Sequence, residues 1–76
     1  MLTPQQVIDS EYLESRCALL EIAAMFDRYD RAVIRSGEAA QHTKKLECLR
    51  TALSVLAQSD HSEERAEKLL ELVATI

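Results

Sequence analysis

From Tyr12 onward, apolar residues return every seven positions, at Tyr12, Leu19, Phe26 and Val33. Advancing about 100° per residue, these four fall along one line of an α-helix. Leu13, Leu20 and Ile34 form a second line beside the first, interrupted by Asp27, while Cys17 and Ala24 widen one flank and Ile22 and Tyr29 the other. The apolar arc so formed covers well over half the circumference. A helix that packs only within its own hairpin needs a narrower stripe. The pattern predicts a long first helix over residues 10–35, stopped at Ser36-Gly37, where glycine can take the left-handed capping conformation. Ahead of it, Thr3-Pro4-Gln5-Gln6 reads as a helix start, with Thr at the cap, Pro at the first helical position and Gln three residues after the cap. Asp9-Ser10 offers a second start. The chain therefore opens either with a short turn at 4–8 followed by the long helix, or with one continuous helix.

Two shorter amphipathic helices are expected to follow. In the first, at 43–58, Thr43 is the better cap and Leu46, Leu49, Leu53 and Leu56 recur at spacings of three, four and three, the seam of a packed helix. The second, at 61–75, opens on a capping box made by Asp60 and Glu63 and carries Ala66, Leu69, Leu70, Val73 and Ile76 on one face. The predicted fold is all-α: a single domain over 1–76, a small antiparallel bundle with one long helix and two shorter ones. The surplus apolar arc of the first helix is expected to be covered by oligomerisation, through a second copy or another helical protein.

Composition agrees with helices. The chain has 76 residues, 47% hydrophobic and 29% charged, with one Gly, one Pro and no Asn, whereas a sheet protein would need more turn residues. A domain this small usually needs a disulfide, a metal, a partner or very regular packing. Cys17 and Cys48 do not supply the first. In a hairpin turning near Gly37 they would sit roughly 13 Å out of step at 1.5 Å per residue, beyond the reach of a disulfide, and both read as small buried hydrophobes. A net charge of −4 disfavours general phosphate-backbone binding and anionic membranes. The start lacks a signal-peptide pattern, and the longest strictly apolar run, Ile22-Ala23-Ala24-Met25-Phe26, is far shorter than a membrane span. A cytoplasmic protein is expected, without membrane or nucleic-acid partners.

Arg16, Asp27 and Asp30 fall inside the apolar arc, with Ala23 between them. A charge in such a place is costly unless paired. Arg16 and Asp27 lie eleven residues apart, about 16 Å along one helix, so they cannot meet within it. Two copies crossing antiparallel near residues 21–22 would bring Arg16 of one close to Asp27 of the other, fixing orientation rather than adding stability. The competing reading leaves Arg16 snorkelling to water and the aspartates bonded to Arg28, Arg31 or an adjoining helix end. The candidate interface comprises Tyr12, Arg16, Leu19, Ala23, Phe26, Asp27, Asp30 and Val33.

Signals for chemistry are weak. Glu38 with His42, and His61 with Glu64, only approximate the carboxylate–histidine spacing of di-metal bundles, and two cysteines in this spacing are no zinc site. Neither cysteine has an obvious base beside it, and one glycine cannot build a phosphate loop. No enzyme, metal or cofactor is expected. Glu11-Tyr12-Leu13, Arg16, Leu19 to Ala24 and Asp27 to Ala32 resemble the opening of small bacterial helical proteins of unknown function, a resemblance that implies no activity, cofactor or partner. Three functions follow from the residues: a self-associating interaction or regulatory module first; a ligand- or metal-binding protein using Arg16, Asp27 and Asp30 second; and a nucleic-acid-associated regulator using Arg28, Arg31, Arg35, Lys44 and Lys45 third.

Overall fold

A computed structural model describes residues 1–58 and 64–74. Among the described residues the fold is all-α, in the order α1 (Pro4–Ser36), α2 (Lys44–Ala57) and α3 (Arg65–Ala74). The chain divides into two units, Met1–Ala39, which holds α1, and Ala40–Ile76, which holds α2 and α3.

The first of the two possible helix starts prevails. The Thr3 hydroxyl accepts from the Gln6 amide at 3.1 Å, and the Gln6 side chain accepts from the Thr3 amide at 2.8 Å. This reciprocal box satisfies two amides that the first turn would otherwise leave open, and Pro4 has no amide to satisfy. Asp9 and Ser10 are not a second start. Asp9 accepts from the Gln5 side chain at 2.9 Å, and the Ser10 hydroxyl donates back to the Val7 carbonyl at 3.3 Å, so both are accommodated inside a continuous helix. The resulting 33 residues span about 50 Å at 1.5 Å each. At the other end Gly37 takes φ 75°, and its amide donates to the Val33 carbonyl at 2.8 Å. That left-handed conformation penalises any residue with a Cβ, although a Cβ here would meet no neighbouring atom.

Thr43 is the N-cap of α2, as its position suggests, but without a side-chain capping bond. Its hydroxyl donates to the Glu47 carboxylate at 3.2 Å, one turn along, and its carbonyl accepts the first helical bond from the Glu47 amide at 2.8 Å. α3 packs on α2. Near one end of the pair the Cys48 thiol lies 3.8 Å from the Leu72 carbonyl, to which it donates, and near the other the Arg65 guanidinium donates to the Gln58 carbonyl at 2.7 Å. The start of α2 thus meets the end of α3, and the two helices run in opposite directions. The expected capping box at Asp60 and Glu63, together with His61 and Ile76, lies outside the described residues.

Packing in this second unit follows the expected leucines only in part. On α2 the buried residue is Val55, with Cys48 and Ala52 half-buried behind it at intervals of four and three. Leu46 and Leu53 are half-buried as well, whereas Leu49 and Leu56 are exposed. On α3 the half-buried line is Arg65, Leu69 and Leu72, and the expected face residues Ala66, Leu70 and Val73 are exposed. Small side chains explain the shift on α2: Cys48 and Ala52 permit a closer backbone approach than a leucine ridge, and dispersion rewards close approach. On α3 the Arg65 bond to Gln58 holds the first turn toward α2 and sets which face follows.

Candidate interaction surface

α1 carries the candidate surface. None of its residues is buried, and every residue up to Glu21 is exposed. Tyr12 retains 63% of its surface, Leu13 66%, Leu19 59% and Leu20 55%. Further along, Ile22, Phe26, Tyr29 and Val33 are half-buried, and Ile34 is exposed. Starting the helix at Pro4 also places Ile8 four residues before Tyr12, beside the Tyr12 line, and Ile8 is exposed too. The long helix expected from residue 10 left Ile8 out, whereas the continuous helix from the Thr3 capping box, the other reading of the start, includes it.

The eight candidate interface residues share one unbroken helix. Tyr12, Arg16, Leu19, Ala23, Asp27 and Asp30 are exposed, while Phe26 and Val33 are half-buried. Among the described residues no hydrogen bond or ion pair ties the side chain of Arg16, Asp27 or Asp30. The alternative partners for the aspartates, Arg28 and Arg31, do not hold them. All three charges reach solvent directly, so the isolated chain carries no desolvation cost for them.

Cys17 corrects one expectation. It is a free thiol, but it is exposed rather than buried, and Cys48 is free and half-buried. Cys17 sits in the stretch of α1 where every residue is exposed, so its preference for burial finds no partner in the described structure. Arg28, Arg31 and Arg35 follow one another at three and four residues along the side of α1 away from the Tyr12–Leu19 line, all exposed.

Three surface depressions accompany these residues. One of ≈ 260 Å³ lies on α1 itself, lined by Val7, Ile8, Glu11, Tyr12 and Ser15. Ile8, Glu11, Tyr12 and Ser15 stand at i, i+3, i+4 and i+7, the four corners of a hole into which a side chain of a facing helix can insert. Ser15 is the reason the hole is open, since its short side chain interrupts a row of large ones. The second, ≈ 460 Å³, lies between α2 and α3 beside Lys45, Cys48, Leu49 and Val73. The third, ≈ 650 Å³, surrounds the start of α2 from Gln41 to Lys45. Among the described residues no three His, Cys, Asp or Glu side chains gather as metal ligands, and no helix is long and apolar enough to cross a membrane. Comparison with protein families, curated proteins and solved structures found no match.

Proposed function

We infer that the protein is a non-enzymatic interaction or regulatory module that self-associates through α1, with α2 and α3 completing an antiparallel helical bundle in the assembled protein. The observation that carries this reading is the exposed row Ile8, Tyr12, Leu13, Leu19 and Leu20 on a 33-residue helix with no buried residue. A lone amphipathic helix draws most of its stability from tertiary packing rather than from propensity, so so long a helix is best explained by a covering surface. Large contiguous apolar patches mark interaction sites, and a second copy offers the same patch by symmetry. The charged rim of Arg16, Asp27 and Asp30 gives such a contact specificity, because a wrong orientation sets like charges together.

Stability should then depend on concentration. A protein folded only as a dimer is stabilised by mass action, so the melting temperature should rise steadily across a hundredfold increase in protein concentration. A melting temperature independent of concentration over that range contradicts the reading.

A further inference from the structure

We propose that the occupant of the α1 face is a second copy of α1 running antiparallel, in one register: its two-fold axis passes between Leu20 and Glu21, and Phe26 of each copy packs against Ser15 of the other. This pairing rests on the self-association reading above and adds orientation and register to it.

α1 repeats as a coiled-coil seam. Tyr12, Leu19, Phe26 and Val33 occupy one of the two core positions of each seven-residue repeat, and Ile8, Ser15, Ile22 and Tyr29 occupy the other. In an antiparallel pair about that axis, each residue faces the one equally far on the other side of it. Leu19 then faces Ile22, Ser15 faces Phe26, Tyr12 faces Tyr29 and Ile8 faces Val33, each twice by symmetry. Every layer is apolar except the one containing Ser15, and there the smallest core residue meets the only Phe of the chain. The ≈ 260 Å³ depression cornered by Ile8, Glu11, Tyr12 and Ser15 is centred near residues 11–12 and so lies opposite Tyr29 of the other copy, one turn from the Ser15–Phe26 layer. A parallel pair does worse on the same residues. It sets Ser15 against Ser15, leaving two holes facing each other, and Phe26 against Phe26, and both unfilled space and overpacking are destabilising.

Charge selects the same arrangement. About this axis Arg16 comes level with Met25 of the other copy, next to Ala23 on the facing edge. Ala23 is too short to obstruct an extended arginine, which can reach past it to Asp27, two residues or about 3 Å further along the axis, with Asp30 beyond. Arg16, Asp27 and Asp30 are exposed and without side-chain partners among the described residues, so the pairing supplies what each isolated chain lacks. The contact occurs twice in the dimer and opposes a parallel arrangement, in which Arg16 and Asp27 of the two copies remain far apart.

The register is tested by cross-linking across the seam in the full chain. Ala18 and Met25 lie on the edge opposite Arg16, and the axis brings Ala18 of one copy within about 3 Å, along the helix direction, of Met25 of the other. In a background of Cys17→Ser and Cys48→Ser, the variants Ala18→Cys and Met25→Cys are made separately, mixed, and oxidised mildly, with products identified by mass. The mixed disulfide is expected to exceed either self-linked species at least fivefold, while light scattering confirms that both variants remain dimeric. A dimer that yields no excess of the mixed product, or links Ala18→Cys mainly to itself, overturns the register and leaves self-association standing. A monomer by light scattering for the unsubstituted chain overturns both.

Discussion

Replacing Leu19 with Asp is expected to make the protein monomeric and to remove most of its α1 helicity. Leu19 lies at the centre of the exposed apolar row, with 59% of its surface open in the single chain. Burying a fully exposed leucine contributes about 1.5–3 kcal/mol; with 59% of Leu19 open its cover contributes roughly 1–2 kcal/mol, and a symmetric contact loses that contribution twice. The carboxylate adds a desolvation cost at the contact, which Arg16, three residues before it, offsets only in part. Leaving that cost aside, the lost burial alone is roughly 2–4 kcal/mol, or about one to three orders of magnitude in the association constant. Glu21→Gln is the matched control, because Glu21 stands two residues away on the opposite side of α1 and is already exposed. It should leave association unchanged. Sedimentation of the two variants at equal concentration reads the difference, and circular dichroism reads whether α1 unwinds when its cover is lost. If Leu19→Asp associates as the unsubstituted protein does, the Tyr12–Leu19 line is not the contact.

The second large effect concerns the other unit. Val55→Asp is expected to unfold α2 and α3, whereas Leu70→Asp should leave them folded. Val55 is 9% exposed and Leu70 68% exposed. An aspartate at 55 forfeits about 1.5–3 kcal/mol of side-chain burial and adds a desolvation penalty of about 2 kcal/mol or more. Units of fewer than about 40 residues rarely hold such a reserve, and Ala40–Ile76 falls below that size. At Leu70 the substitution touches an already solvated position, where changes stay within about 0.5 kcal/mol. Thermal unfolding followed by circular dichroism separates the two variants. Equal damage from both would mean that the Ala66, Leu70 and Val73 face is packed after all.

These two positions also mark how far the sequence could be read. The C-terminal end of α1 was legible in the sequence, whereas its start stayed open between Thr3-Pro4 and Asp9-Ser10, and the long helix was expected from residue 10. Thr3-Pro4-Gln5-Gln6 can cap a helix in one way, and Gly37 is the single glycine of the chain, placed where φ turns positive. The seven-residue return of Tyr12, Leu19, Phe26 and Val33 likewise showed the long helix and its apolar line before any coordinates. Asp9-Ser10 misled because both residues favour caps, yet each can be satisfied inside a helix by a neighbour one turn away, as Gln5 and the Val7 carbonyl do here.

The faces of α2 and α3 were harder for a physical reason. α2 has two candidate stripes, one of leucines and one of Cys48, Ala52 and Val55, and periodicity ranks them by hydrophobicity. The packed face draws on both: Val55 is buried, and Leu46, Cys48, Ala52 and Leu53 are half-buried. On α3 the deciding contact is polar: Arg65 reaches the Gln58 carbonyl, and no hydrophobic pattern encodes that. For the candidate interface, the sequence places the eight proposed residues on α1 but does not show the depression beside Ser15. A hole is defined by what is short among long neighbours, and it becomes visible only when the helix is known to continue through Ile8.

Cover of α1 by a second copy of the chain is tested most directly by solution mass. Light scattering across a dilution series should give twice the chain mass of 8.6 kDa at high concentration, falling toward a single chain on dilution as helicity is lost in step. A mass of one chain at every concentration, with full helicity retained throughout, would contradict it.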